Sequence, residues 1–86
     1  MTRVDFEIWA ASLGWKRDRW GHFQKTVTHP VIGGGTGTST YRYKLSRIAV
    51  RREIKTGAGW VRVAGNYFSR LSIQEDGKLY GMAKEK

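Results

Sequence analysis

Cysteine is missing from this chain. That excludes a disulfide framework, a thiolate nucleophile, a zinc finger and an iron–sulfur site. Acids are scarce, seven Asp and Glu against sixteen Lys and Arg. Histidines number two and proline occurs once, at Pro30. No apolar run approaches the ~20 residues that crossing a bilayer takes. The opening residues, Met1-Thr2-Arg3-Val4-Asp5, carry an acid where a signal peptide would begin its apolar stretch. The expectation is a soluble, intracellular, cytoplasmic protein with no membrane partner. Internal repeats and coiled-coil heptads are also lacking.

What is present fits one small folding unit, with residues 1–86 as a single domain. Apolar residues are 40% of the chain and aromatics 13%, enough for a modest core. A chain of this size buries only about 60% of its unfolded surface. The net charge is +9, and it is unevenly placed. Residues 16–70 hold twelve bases and two acids, while the remainder holds four bases and five acids. A positive field in the middle of the chain attracts polyanions. Nucleic acid is the commonest such partner, an acidic protein surface the second, an anionic membrane the third.

The first segment reads as a helix over about residues 5–13. Thr2 followed by Asp5 forms a loose capping box. Phe6, Trp9 and Leu13 recur on one stripe with Ala10, widened by Val4, Ile8 and Ala11. Gly14 stands where a left-handed residue ends a helix, and Trp15 is placed to fold back on the last turn. Beyond it, Phe23 and Val27 share a strand face, and a turn at Asp18–Gly21 would make Trp15–Arg17 a short partner strand. Pro30 is expected to end that segment. The edge at Trp20–Val27 offers a route to a dimer, with the oligomeric state left open.

Residues 33–40, Gly-Gly-Gly-Thr-Gly-Thr-Ser-Thr, read as a flexible loop. Over about eight residues it resembles the glycine-rich phosphate-binding signature of tubulin-like GTPases. That family builds a large nucleotide domain around the loop, for which this chain is too short, so a hairpin linker is the plainer expectation.

The strongest β signal spans Tyr41 to Ile54. Its apolar positions switch face between Leu45 and Ile48. A bulge near Ser46-Arg47 would restore one core face. Without it, Tyr41, Tyr43, Arg47 and Arg51 would line one open face. Lys55–Trp60 reads as a hairpin turn that pairs Ile54 with Val61, Arg52 with Val63 and Glu53 with Arg62. Trp60, Lys55, Arg62 and Arg51 would then share the other face. Tyr67, Phe68 and Leu71 suggest a helical turn capped by Asn66, or an apolar corner. A last hairpin around Glu75-Asp76-Gly77, with Gly77 left-handed, puts Ile73 opposite Leu79. Residues 83–86 are expected to fray.

Few residues invite chemistry. His29 precedes Pro30 and has no evident role. The order helix, Leu13-Gly14-Trp15, strand, Gly21-His22-Phe23 resembles the HicA-type toxin ribonucleases over about twenty residues. That resemblance implies a double-stranded-RNA-binding-like fold with His22 acting on RNA. The pattern departs at Trp20 and at the C-terminus, which shows no closing helix. The scattered acids and two histidines offer no metal-ligand spacing, and no nucleophile triad or paired-carboxylate site is evident. No cofactor is expected and an enzyme is disfavoured.

The reading is therefore α+β: one N-terminal helix packed on a small twisted antiparallel sheet of four to five strands, centred on the Ile48–Val63 hairpin. The expected function is non-catalytic nucleic-acid binding. Lys44, Arg47, Arg51, Arg52, Lys55 and Arg62 would meet phosphates, and Tyr41, Tyr43 and Trp60 would stack on bases. A regulator or inhibitor that docks its basic face on an acidic protein is the alternative, and an RNase using His22 the third reading.

Overall fold

In the computed structural model, which describes residues 1–84, the helix α1 runs over Arg3–Ser12. Its start is the capping box the sequence announces. Asp5 N donates to Thr2 Oγ at 3.1 Å, and Thr2 N donates to Asp5 Oδ2 at 3.2 Å. These bonds with Thr2 hold the Asp5 carboxyl below its ordinary pKa. The helix ends in a Schellman motif. Gly14 N donates to Ala11 O and Trp15 N to Ala10 O, each at 3.1 Å, with Gly14 at φ +87°. The buried stripe is narrower than the periodicity implies. Phe6 and Ala10 are fully buried, whereas Val4 and Ile8 are exposed because only one side of this short helix meets the sheet.

The sheet has six strands in the order β1-β2-β3-β4-β5-β8, neighbours antiparallel. β1 is Lys16–Arg17, β2 Phe23–Pro30, β3 Thr36–Leu45, β4 Ala49–Thr56, β5 Gly59–Tyr67 and β8 Ala83–Lys84. β6, Ser72–Ile73, and β7, Leu79–Tyr80, form a separate hairpin. The excess over four to five strands is the pair of two-residue flanking strands, β1 and β8. The α+β class and the N-terminal helix are as expected. Among the described residues no helix is long and apolar enough to cross a membrane.

Several local readings need correction. Tyr41–Ile54 is not one strand. Ser46-Arg47-Ile48 turns the chain between β3 and β4, closed by Ser46 N donating to Ala49 O at 2.9 Å and Ala49 N donating to Ser46 Oγ at 3.1 Å. The bulge lies instead at Val63, the extra residue between the pairs Arg52↔Ala64 and Glu53↔Arg62, so Arg52 faces Ala64 in place of the expected Val63. Residues 36–40 belong to β3, paired with Thr26–Pro30, so β2 runs through Pro30 and only a short turn with left-handed Gly33, Gly34 and Gly35 joins the strands. Ala83 and Lys84 pair with Gly65 and Ala64, while Glu85 and Lys86, also expected to fray, lie outside the described residues.

Other expectations stand. Lys16–Arg17 pairs with Phe23–Gln24, Ile54 with Val61, Glu53 with Arg62, and Ile73 with Leu79, with Gly77 at φ +77°. The expected turn forms as the 3-10 turn Phe68–Arg70, but the Asn66 cap does not: Tyr67 takes the cap position and no side chain caps it. The core joins Phe6 and Ala10 to Phe23, Tyr43, Leu45, Val50, Phe68 and Leu71, with Trp9 and Trp15 packed against it. Phe6 meets Tyr43 edge-on at 5.0 Å between centroids, the geometry that ring quadrupoles favour.

Candidate nucleic-acid interface

Residues directly opposite in an antiparallel ladder project to one face, and neighbours along a strand to opposite faces. The observed register therefore sorts every candidate. One face carries the core and α1: Phe23, Tyr41, Tyr43, Leu45, Val50, Arg52 and Ile54. The other face is open. Its pairs include Lys44↔Arg51↔Gly65, Arg42↔Glu53↔Arg62, Lys55↔Trp60 and Ala49↔Tyr67.

The open face gathers five of the nine candidates: Lys44, Arg51, Lys55, Trp60 and Arg62. The two tyrosines are not among them. Tyr43 is 4% exposed, with Trp15 at 4.4 Å between ring centroids. Its phenol is raised above its ordinary pKa by burial, against a smaller opposing pull from Arg52. Tyr41 lies on the helix side under the Arg52 guanidinium, 4.8 Å from its ring centroid. Arg52 is thus removed from the open face as well. Arg47 is exposed in the β3–β4 turn. The turn at Ser46–Ile48 explains this split. It folds β4 back on β3, so the two tyrosines and Leu45 share a face with Val50 instead of with Arg51.

Charge on the open face is governed by one ion pair. Arg42 donates from Nε and Nη2 to Glu53 Oε1 at 2.9 and 2.6 Å. Both side chains are largely buried, at 15% and 9% exposure. The Arg42 guanidinium also lies 4.3 Å from the Trp60 ring centroid, a cation–π stack. Glu53 is the only acid on β2 to β5, and Arg42 neutralises it. The sequence reading left out Arg42, because nothing short of the β3–β4 register sets it against Glu53. Gly65 leaves a gap in the Lys44–Arg51 row, and the Arg62 guanidinium lies across it: a Cβ there would stand 3.4 Å from Arg62 Nη2.

His22 sits at the end of this row and is committed elsewhere. Leu45 N donates to its Nδ1 at 3.0 Å. The neutral ring therefore carries its proton on Nε2. Burial lowers its pKa; Asp18 opposes this, and the positive charges of Arg42, Lys44 and Arg3 reinforce it. Asp18 anchors the preceding turn, accepting from Trp20 N, His22 N and Gln24 Nε2 at 2.9 to 3.1 Å. Partial burial pushes the Asp18 pKa up, but those hydrogen bonds outweigh it and leave the carboxyl below its usual value. His29 Nε2 lies 3.0 Å from Ser39 Oγ across the β2–β3 hairpin. Among the described residues no cluster of His, Asp and Glu has the makings of a metal site.

Compared with known protein families, characterised proteins and solved structures, the chain matches none. Its chemistry rests on its own residues.

Proposed function

We propose that the open face of the sheet binds nucleic acid through its phosphates, without catalysing a reaction on it. One observation carries this reading. Lys44, Arg51, Lys55 and Arg62 project from three adjacent strands on one face, and the single acid among them is held by Arg42. Arg51 and Lys55 are four residues apart on β4, about 13 Å at the rise of a strand. That spread suits a phosphate chain better than one bound ion. Trp60 and, opposite Ala49 at the other end of β5, the half-exposed Tyr67 are the rings of this face at which a base would stack; the cations outnumber them, so phosphate contacts dominate and sequence preference is weak. The open-face positions of the β2–β3 half, among them Gln24, Thr26, Thr28, Thr38 and Thr40, are polar. They supply no apolar anchor of the kind a protein interface needs.

The third reading, an RNase using His22, is narrowed to a general-acid role for the Nε2 proton. A general base needs a free ring lone pair facing substrate. The Nδ1 lone pair already takes the Leu45 amide, and Nε2 holds the proton.

The test is a titration of the protein, freed of co-purifying nucleic acid, into labelled single-stranded DNA, duplex DNA and RNA at several salt concentrations. Affinity should fall linearly with salt on logarithmic axes. Each of Lys44→Gln, Arg51→Gln and Lys55→Gln should reduce that slope by about 0.7–0.9, one phosphate contact each. An absence of binding even at low salt overturns the proposal, and a search for an acidic protein partner would follow.

A further inference from the structure

On the other side of the sheet a cleft of about 400 Å³ opens between the last turn of α1, the central strands and the β6–β7 hairpin. Trp9 gives it aromatic surface, the buried Tyr43 lies at its floor, and Leu79 and Met82 give it aliphatic walls. The Trp9 ring is held in place, its Nε1 donating to Gly77 O at 2.8 Å. Arg52 enters from β4. Its Nε is buried and has no hydrogen-bond partner, the only such side-chain atom among the described residues. The stack on Tyr41 fixes the guanidinium plane but supplies no acceptor.

Unpaired buried donors of a charged group are rare, because they lose water and gain nothing. The missing acceptor does not come from the cleft itself. Asp76 is its one acid, and that carboxylate serves its own turn: Oδ1 accepts from Lys78 N at 2.9 Å and Oδ2 from the Tyr80 hydroxyl at 3.0 Å. Lys78 adds a second cation at the rim. Nε itself is shut off from the cleft, but Arg52 and Lys78 bring two cations to it that make no ion pair among the described residues, a balance that favours an anion beside the Trp9 ring.

We propose that this cleft binds a small planar aromatic molecule bearing a carboxylate or phosphate, its acid on Arg52 and its ring against Trp9. The volume admits one or two fused rings with an acidic substituent and excludes an oligomer. The cleft faces away from the open-face cations, so it works whether or not that face binds nucleic acid.

Two-dimensional nitrogen–proton NMR reads the site directly through the Trp9 indole and Arg52 Nε–H signals. The probes are indole-3-acetate and adenosine 5′-monophosphate, with indole and inorganic phosphate as their separate halves. At least one of the acids should shift both signals saturably and bind tenfold or more tightly than either half. Whichever acid wins names the anion. Arg52→Gln should weaken that binding tenfold or more, whereas Arg19→Gln, an equal loss of charge on an exposed turn, should bind as wild type. If neither acid shifts these signals, or if Arg52→Gln titrates unchanged, the proposal fails. Should Arg52→Gln not fold, the comparison of acid with half stands in wild type, and equal affinity of indole and its acid overturns the idea.

Discussion

Gly81 sits at φ +103°, and a Cβ there would run into the Arg70 carbonyl oxygen. Two penalties therefore meet at one residue: a left-handed backbone and a blocked position. Gly81→Ala should destabilise the fold by about 2–3 kcal/mol, read as a lower urea midpoint. Gly77 has the same handedness but open space around it, so Gly77→Ala should cost only ~1–2 kcal/mol. His22 supplies the pH dependence at this scale. Its lowered pKa means the folded chain takes up a proton less readily than the unfolded one. Its contribution to stability is complete above the unfolded value of about 6.5. It is lost as pH falls from there through the native pKa. Unfolding midpoints at pH 7.5 and 5.5 should show that loss in wild type and less of it in His22→Phe. That variant should itself be weaker by about 1–3 kcal/mol at pH 7.5, because Leu45 N loses its acceptor.

At the scale of the element, the β2–β3 hairpin is supported at one end only. Phe23 and Tyr43 pack into the core, whereas Val31 and Ile32 at the far end are exposed, Ile32 completely. Amide exchange should therefore be slow near Phe23 and Tyr43 and faster by orders of magnitude from His29 to Thr38. Uniform protection along both strands would show that another surface covers the arm. Within the β3–β4–β5 ladder, Glu53 has opposing roles in stability and binding. Glu53→Gln leaves Arg42 largely buried without its counter-charge, and should cost about 3 kcal/mol in a urea melt. The same change removes the one acid of the open face, so polyanion affinity should rise. A variant that is both weaker in folding and tighter in binding would place the interface on that face; no gain in affinity would argue against it.

Across the whole molecule, charge has a topological order. No acid occurs between Asp18 and Glu53, a stretch that supplies β2, β3 and the first half of β4. Among the described residues the other acids lie on α1, in the Asp18 turn and around the β6–β7 hairpin. Glu7 there takes Arg3 and Arg17 at 3.3 and 3.1 Å, leaving positive potential concentrated on the open side. Because that field is made by several cations, no single substitution should abolish binding. The triple variant Lys44→Gln, Arg51→Gln, Lys55→Gln should lose two or more decades of affinity at low salt, with its unfolding midpoint nearly unchanged.

The amino-acid sequence by itself determined the features that local chemistry controls. The Thr2–Asp5 cap, the Gly14 termination, the β4–β5 turn and the Gly77 hairpin were legible because each is decided within a few residues by φ preference or a short hydrogen bond. The Ser46–Ile48 turn was not, since it contains neither glycine nor proline and is closed by a serine side chain that gives no such sign. From that one turn follows most of what only the tertiary structure decided. It folds β4 on β3, sends Tyr43 into the core and Tyr41 and Arg52 to the helix side, and brings Arg42 against Glu53. A strand's periodicity tells which residues share a face, but which face is buried depends on what packs against it. Here the answer comes from α1 and the Phe68–Leu71 corner, both distant along the chain from the strands they cover.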